Sequence, residues 1–182
     1  KMINFGPVTT FSNYAVISEN RIFKKPKKMS MLEAVFYGCA IPTGAGMVLN
    51  EHNIKKNEKC LVIGLGGIGF VTLCTLLKKN VRQIDVLEKD NIKIRKFKSY
   101  KQKTNINFIR KLKFVKKNYY DICFETSGNI NLLNQSITLI NNNGKIIFAT
   151  HPKFGKKLII DPHELIKGKK VFGSWGGGCK LD

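Results

Sequence analysis

Six consecutive residues, Gly64-Leu65-Gly66-Gly67-Ile68-Gly69, have the types and the spacing of a phosphate-binding turn. They follow the apolar run Cys60 to Ile63 and open a second apolar run that is typical of a helix. In such a turn the first glycine permits the tight bend, the second lets backbone N–H groups approach a pyrophosphate, and the last lets the helix pack on the strand. The pattern predicts a dinucleotide site; the alternative is a plain strand-to-helix turn in an unrelated doubly wound protein.

A carboxylate at the expected distance strengthens this prediction. Glu88 ends the next apolar run, Ile84 to Leu87, about 20 residues after the glycines, where dinucleotide-binding folds place an acid that binds the adenosine ribose. Such an acid repels a 2′-phosphate, so we expect NAD in preference to NADP. Lys89 and Lys93 lie close in sequence and weaken that preference.

The elements that must position these residues alternate between strands and helices. Strands are predicted at 60–63, 84–87, 105–108, 121–124, 145–150 and 170–172, and helices at 70–77, 92–100, 130–140 and 162–166, with a turn at 141–144. Such alternation favours the α/β class, with a doubly wound parallel sheet covered on both faces.

The segment before the glycine turn is less regular. Residues 11–22 are predicted as a strand, a turn and a short strand. A helix is expected to begin at Met31, because Ser30 and Glu33 have the spacing of a capping box. The stretch GCAIPTGAG, Gly38 to Gly46, is expected to interrupt that helix, which resumes over Ala45 to Leu49.

The net charge of +20 is the unusual number in the composition. A basic field attracts phosphate backbones, so a non-enzymatic nucleic-acid-binding protein stays an alternative. The lysines are scattered through every segment, however, and the densest cluster, residues 93–117, contains no nucleic-acid-binding motif. We therefore expect no specific nucleic-acid partner. The longest apolar stretches are broken by glycines, so no membrane span is expected either.

Cysteine and histidine usage indicates no metal site by itself. The five cysteines form no CxxC pair and their number is odd, which argues against a disulfide framework and favours the cytoplasm. On composition alone, Cys39 is a small buried apolar residue like the others. The histidines, His52, His151 and His163, are predicted to be solvated or capping residues.

Longer segments resemble one known family. GCAIPTGAG, together with TFSNYAVIS, YDICFETSGN, NGKIIFAT and KKVFGSWGG, is similar to the corresponding stretches of medium-chain zinc-dependent alcohol dehydrogenases. The GCxxPTGxG form resembles the glutathione-dependent formaldehyde and aryl-alcohol dehydrogenase branch. The resemblance implies a Rossmann domain of an enzyme that transfers hydride between an alcohol or aldehyde and NAD, with a catalytic zinc ion.

The resemblance implies roles at the nicotinamide end of the site. Cys39 matches one protein ligand of the catalytic Zn²⁺. Thr43 matches a residue beside the nicotinamide, and Ile68 matches an apolar contact beneath its ring. The backbone near Phe148 to Thr150 matches the peptide that holds the carboxamide.

At the adenosine end, Glu88 and Lys93 match the acid and the lysine that bind the ribose, although the family more often has Asp at the acid's position. Thr126 and Ser127 match positions that line the adenine side. The motif glycines complete the predicted coenzyme site, namely Gly64, Gly66, Gly67 and Gly69.

The same resemblance predicts the domain organisation. Residues 1–40 would end a GroES-like catalytic domain, 41–173 would form the Rossmann domain, and 174–182 would start the return to the catalytic domain. The family's other zinc ligands and its proton relay belong to an N-terminal domain, so no catalytic residue is predicted within this chain, which alone is expected to be inactive. A homodimer or homotetramer is expected.

A different branch of the superfamily is the main alternative. A zinc-free quinone or enoyl reductase would keep the glycine motif and normally prefers NADPH. It would usually lack the ligand that Cys39 matches.

Overall fold

The computed structural model describes residues 12–19, 22–100 and 106–179, and the chain divides into two compact units, Lys1–Val35 and Phe36–Asp182. The helices are α1 (Met31–Tyr37), α2 (Ala40–Gly46, continued by a π turn Met47–Glu51), α3 (Gly67–Lys78), α4 (Asn91–Tyr100), α5 (Ile130–Ser136) and α6 (Pro162–Ile166). The strands are β1 (Lys59–Ile63), β2 (Gln83–Leu87), β3 (Ile106–Ile109), β4 (Tyr120–Glu125), β5 (Ile140–Phe148) and β6 (Lys170–Gly173).

The strands form one parallel sheet in the order β3-β2-β1-β4-β5-β6. This is the strand order of the Rossmann fold, whose order reverses between β1 and β4. The chain crosses from β3 to the other side of β1 at this point, so the carboxyl ends of β1 and β4 border a crevice. The predicted fold class is confirmed.

Alternate residues of each central strand build two separate cores. In β1, Cys60 and Val62 belong to the apolar cluster on one face of the sheet, and Leu61 and Ile63 belong to the cluster on the other. All four are fully buried. Continuous apolar strands of this kind require helices on both faces, which is why strands and helices alternate along the chain.

The prediction for GCAIPTGAG was wrong about where the helix resumes. Helix α2 already begins at Ala40, with Cys39 as its N-cap and Pro42 inside its first turn. The first N–H groups of a helix have no partner within it, so proline is tolerated there. The N–H of Thr43 donates to the carbonyl of Cys39 at 3.1 Å, so these two residues lie one turn apart.

The helix predicted over 130–140 was too long. Helix α5 ends at Ser136, and Ile140 already pairs with Tyr120 as the first residue of β5. The next pair joins Lys145 to Ile122, so the predicted turn at 141–144 is an irregularity within the strand. Helical spacing of apolar residues did not distinguish a helix from a buried strand that starts directly after it.

Of the two expectations for the segment before Gly38, the helix that begins at Met31 is confirmed and the strand is not. Helix α1 begins at Met31 as predicted, and its capping box is formed: Ser30 N–H donates to the Glu33 carboxylate at 2.8 Å and Glu33 N–H to Ser30 Oγ at 3.2 Å. No strand forms over residues 12–19, where Val16 is fully exposed; residues 11, 20 and 21 lie outside the described part. An isolated strand has no partner for its backbone groups and is not stable.

His52 is not solvated, in contrast to the prediction. Its side chain is 6% exposed, and its Nε2 lies 3.0 Å from Glu58 Oε1 at the amino edge of the sheet. Burial lowers the pKa of His52, since desolvation opposes the charged imidazolium.

No single helix in the described part of the chain is long and apolar enough to cross a membrane. Taken together, the helices Met31–Tyr37 and Ala40–Glu51 meet the criteria for a bent membrane span, on length and composition only. Met47 and Val48 of its second member are fully buried, as in the core helix of a globular protein.

Candidate dinucleotide-binding site

The chain turns sharply between β1 and α3. Gly64 has φ of +89°, in the left-handed region that residues with a Cβ rarely adopt. Its N–H donates to the carbonyl of Leu87 at 2.9 Å, so the turn is tied to the end of β2. Gly66 is the N-cap of α3, and its carbonyl accepts the N–H of Phe70 at 2.8 Å. The predicted succession of strand, tight turn and helix is confirmed.

Gly69 and Gly66 differ in the space around them. A Cβ on Gly69 would lie 2.1 Å from the carbonyl oxygen of Gly64, so α3 packs directly on the turn. A Cβ on Gly66 would meet no atom within 4 Å, so this side of the turn is open. The first N–H groups of α3 have no partner within the helix, and the helix dipole makes them favourable to an anion. The turn therefore has both the room and the donors that a pyrophosphate needs.

Glu88 lies at the predicted place but its carboxylate already has partners. Its Oε2 accepts the N–H of Leu65 at 2.7 Å, and its Oε1 accepts the N–H of Asp90 at 3.0 Å. Lys93 Nζ lies 3.8 Å from Oε2. The Glu88 side chain is only 7% exposed. The acid thus connects the end of β2 to the glycine turn.

Thr126 and Ser127 form the opposite wall at the end of β4. The Thr126 hydroxyl lies within donating distance of two carbonyl oxygens, 2.9 Å from that of Ile63 and 3.0 Å from that of Gly64. Ser127 N–H donates to Glu125 Oε1 at 2.9 Å, and its hydroxyl contacts the same oxygen. Both predicted residues therefore lie beside the glycine turn.

Glu125 is a buried acid that the sequence analysis missed. It is 1% exposed, and desolvation raises the pKa of its carboxyl group, although the hydrogen bonds from Ser127 and Thr150 oppose the shift. Its place at the carboxyl end of β4, directly before Thr126, was the available signal. Glu125 accepts hydrogen bonds from the wall of the cleft but does not line the cleft itself.

These elements enclose a cleft of about 430 Å³. The predicted residues that line it are Gly64, Gly66, Glu88, Lys93, Thr126 and Ser127. Lining residues that were not predicted as site residues are Leu65, Leu87, Lys89, Arg110, Leu112, Asn129 and Leu132. Arg110 follows β3 just as Glu88 follows β2, so its position at the end of a strand could have identified it. Gly67, Ile68 and Gly69 belong to α3 and do not line this cleft.

Helix α2 lies against α3, and its amino end is beside the turn. Thr72 Oγ1 donates to the carbonyl of Gly44 at 3.2 Å, and a Cβ on Gly67 would lie 3.7 Å from the Cβ of Ala40. Cys39 is exposed at this end, so it is not the buried apolar residue that composition alone suggested. Thr43 is buried, at 6% exposure, one turn further along.

A complete metal site is not present in the described residues. No group of three or more His, Cys, Asp and Glu side chains among residues 12–19, 22–100 and 106–179 could hold a metal ion. A catalytic zinc needs three protein ligands and an open position. Cys39 alone therefore does not make a zinc site.

The segment predicted to hold the nicotinamide carboxamide lies at the end of β5. Ala149 N–H donates to the carbonyl of Glu125 at 3.4 Å, and the carbonyl of Phe148 accepts the N–H of Ser174 at 2.7 Å. A separate cavity of about 300 Å³ opens here, lined in part by Thr150 and Trp175. The segment therefore borders open space at the carboxyl edge of the sheet.

Comparisons with known proteins agree with this geometry. No family model matches the chain. It is 25% identical over 180 residues to S-(hydroxymethyl)glutathione dehydrogenase of Haemophilus influenzae, covering 94% of this chain and 48% of that protein. It is 24% identical to the protein of the same name from Photobacterium damsela subsp. piscicida, covering 94% and 49%. The chain thus spans about half the length of the curated relatives it matches.

A solved structure matches in the same way. Benzyl alcohol dehydrogenase from Acinetobacter calcoaceticus superposes with a TM-score of 0.81 at 21% identity, over 93% of this chain and 49% of that one. This likeness bears out the fold.

Proposed function

We propose that the chain binds NAD in the cleft at the glycine turn, and its similarity to two S-(hydroxymethyl)glutathione dehydrogenases supports this proposal. In this proposal it forms the coenzyme-binding part of a zinc-dependent enzyme that transfers hydride between an alcohol and an aldehyde. The observation that carries the proposal is the open face of Gly66 at the amino end of α3, inside a cleft of about 430 Å³.

In this proposal, different residues of the cleft bind different parts of NAD. Gly64 and Gly66 keep side chains away from the turn, and the unpaired N–H groups of α3 bind the pyrophosphate. Glu88 and Lys93 face the adenosine ribose, and Thr126 with Ser127 forms the adenine side. A bound NAD supplies the hydride acceptor, while the protein binds and orients the coenzyme and excludes water from the cleft.

The nicotinamide end of the proposed site lies toward α2. Ile68 and Thr43 are assigned to this end by the family resemblance, and the close approach of Gly67 to Ala40 supports it by placing α2 beside the turn. Cys39, exposed at the same end, is proposed as one zinc ligand. The remaining ligands would come from outside the described residues.

Further assignments rest on the relatives and on composition. The proposed substrate is a small alcohol or aldehyde, and the proposed assembly is a homodimer or homotetramer. Residues 1–40, 41–173 and 174–182 keep their predicted division into the end of a catalytic domain, the Rossmann domain and a return segment. The five cysteines are all free thiols, which supports a reducing, cytoplasmic location.

A titration of the chain with NADH tests the proposal. NADH fluorescence should rise to saturation at one equivalent per chain, and ADP should displace the bound coenzyme because it shares the pyrophosphate. Absence of saturable binding, or binding that ADP leaves unchanged, would overturn the proposed site.

A further inference from the structure

The amino edge of the sheet, opposite the cleft at the glycine turn, carries an excess of positive charge. Four segments lead into strands or begin them at this edge, namely 55–59, 79–83, 116–121 and 141–145. They contain two acids and eight cations, and these cations, here called the amino-edge surface, are Lys55, Lys56, Lys59, Lys79, Arg82, Lys116, Lys117 and Lys145. Because β1 runs from Lys59 to Ile63, about 13 Å of strand separates this surface from the glycine turn.

Contacts between the segments bring these cations together. Arg82 N–H donates to the carbonyl of Lys56 at 3.0 Å, which joins the segments before β2 and β1. The ring of Tyr119 lies beneath two lysine Nζ atoms, 4.5 Å from that of Lys59 and 4.2 Å from that of Lys116. The segment before β4 therefore lies against the start of β1. The cations of three segments form one continuous surface.

The two acids of this edge are engaged by other donors. Glu58 Oε1 lies 3.0 Å from His52 Nε2, and its Oε2 accepts the N–H of Lys55 at 2.6 Å. Asp121 Oδ2 accepts the N–H of Lys59 at 2.8 Å. Neither acid forms an ion pair with a lysine or arginine of the described ranges, 12–19, 22–100 and 106–179. The acids offset at most two of the eight positive charges, and six of the cations are exposed, namely Lys55, Lys56, Lys79, Arg82, Lys116 and Lys117.

The residue types of the amino-edge surface distinguish between classes of anionic partner. Interfaces between proteins are depleted in lysine. Sites that bind membrane surfaces add apolar side chains that enter the lipid, and none of the large apolar residues exposed in the described part of the chain belongs to these four segments. Lysine, arginine and asparagine all contact nucleic-acid phosphates. Five exposed asparagines accompany the cations, namely Asn57, Asn80, Asn118, Asn142 and Asn143.

We propose that the amino-edge surface binds the phosphate backbone of a nucleic acid. Contacts to phosphates fix a nucleic acid in place but read no base sequence. Binding is therefore independent of sequence, which agrees with the lack of a nucleic-acid-binding motif in the chain. Since the surface and the cleft lie at opposite edges of the sheet, this binding does not depend on the proposed coenzyme site.

Fluorescence anisotropy with a labelled DNA duplex of about 20 base pairs and mixed sequence tests the proposal. We expect a Kd between about 1 and 100 μM at physiological salt. Contacts to about four or five phosphates should give a slope of about −4 when the logarithm of the association constant is plotted against that of the salt concentration. Saturating NADH should leave the affinity for the duplex within about twofold, because its proposed site is at the other edge.

A triple variant removes part of the surface. Lys56→Gln, Arg82→Gln and Lys117→Gln together replace three exposed cations from three different segments. The variant should bind the duplex at least about tenfold more weakly, and the slope with salt should become shallower by about two to three. Urea unfolding of the variant checks that the fold is retained.

A matched control changes the net charge equally at the other edge of the sheet. Lys153→Gln, Lys156→Gln and Lys157→Gln alter three exposed lysines in the segment that follows β5. This control should bind the duplex within about threefold of the wild type. Equal losses in the two triple variants would assign binding to net charge alone, and they would overturn the proposal.

Three further results would also overturn it. Absence of measurable binding would remove the surface as a nucleic-acid site. Displacement of the duplex by NADH would place the duplex on the cleft instead. Vesicles of phosphatidylserine and phosphatidylcholine are the second probe, and vesicle binding at a salt concentration that releases the duplex would identify a membrane-binding surface. The proposed coenzyme site stands or falls separately, since no substituted residue lines its cleft.

Discussion

The glycine turn and the amino end of α2 are neighbours, but they depend on the rest of the protein in different ways. The turn uses backbone N–H groups, an open face at Gly66 and side chains that all come from the Phe36–Asp182 unit. Cys39 is exposed beside it, without two further metal-binding side chains in the described residues. A site built from backbone is complete within one folding unit, whereas a metal site gathers side chains from several segments. Variants of the two regions should therefore separate coenzyme binding from metal binding.

The largest expected effect is on folding, at Gly69. Gly69→Ala places a Cβ 2.1 Å from the Gly64 carbonyl oxygen, so either helix or turn must move. We expect the free energy of unfolding to fall by about 3 kcal/mol and NADH binding to be lost. Gly66→Ala is the matched control, because its Cβ meets nothing within 4 Å, and it should cost about 1 kcal/mol or less. Urea unfolding of both variants checks this; equal destabilisation would contradict the assigned packing.

The next effect is on binding alone. Gly66→Val directs two methyl groups into the open side of the turn, where the pyrophosphate is proposed to lie. NADH affinity should fall about 100-fold, which corresponds to about 3 kcal/mol, while circular dichroism stays that of the wild type. A folded variant with unchanged affinity would mean that the ligand binds elsewhere.

The third effect tests the neighbouring region. Cys39→Ala should leave the NADH affinity of the chain within about twofold, because the thiol belongs to α2 and does not line the cleft. Wild type and variant should both hold far less than one zinc per chain, since one thiolate leaves the coordination shell incomplete. In a longer form that supplies the remaining ligands, the variant should lose zinc and turnover. Full zinc content in that variant, measured by metal analysis, would remove Cys39 from the ligand set.

The smallest expected effect concerns pH and the buried wall of the cleft. Burial raises the pKa of Glu125, so the folded state binds its proton more tightly than the unfolded state. Between the ordinary value near 4.5 and the raised value, stability should therefore fall as pH rises. Glu125→Gln should flatten this part of the profile, measured by urea unfolding from pH 4 to pH 8. A profile unchanged by the substitution would contradict the assigned role of burial.

The two regions also differ in how far the sequence predicts them. The turn could be located closely, because few residue types permit a left-handed bend at Gly64 and a strand must precede it. The start of α2 was missed, because Pro42 suggests a break, whereas the first turn of a helix needs no N–H from it. The partners of Glu88 were also not predictable, since the bond from Leu65 N–H depends on how β2 packs beside β1.

Tertiary pairing explains the remaining differences. Ile140 fits a helical apolar pattern, but its pairing with Tyr120 across the sheet decides its conformation. The sequence analysis did not identify Glu125 as a buried residue, because an acid is usually exposed unless donors such as Ser127 N–H satisfy it. The pairing of Ile140 with Tyr120 joins residues from different strands, which local sequence patterns do not describe.

Amide shifts in two-dimensional NMR measure directly whether the dinucleotide lies on the amino end of α3. On addition of NADH, we expect the largest shifts at the backbone amides of Gly66, Gly67 and Ile68, with smaller ones at Ser127. The amides around His52, at the opposite edge of the sheet, should not move. Shifts centred on that opposite edge, with the glycine amides unchanged, would show that the dinucleotide does not bind at the glycine turn.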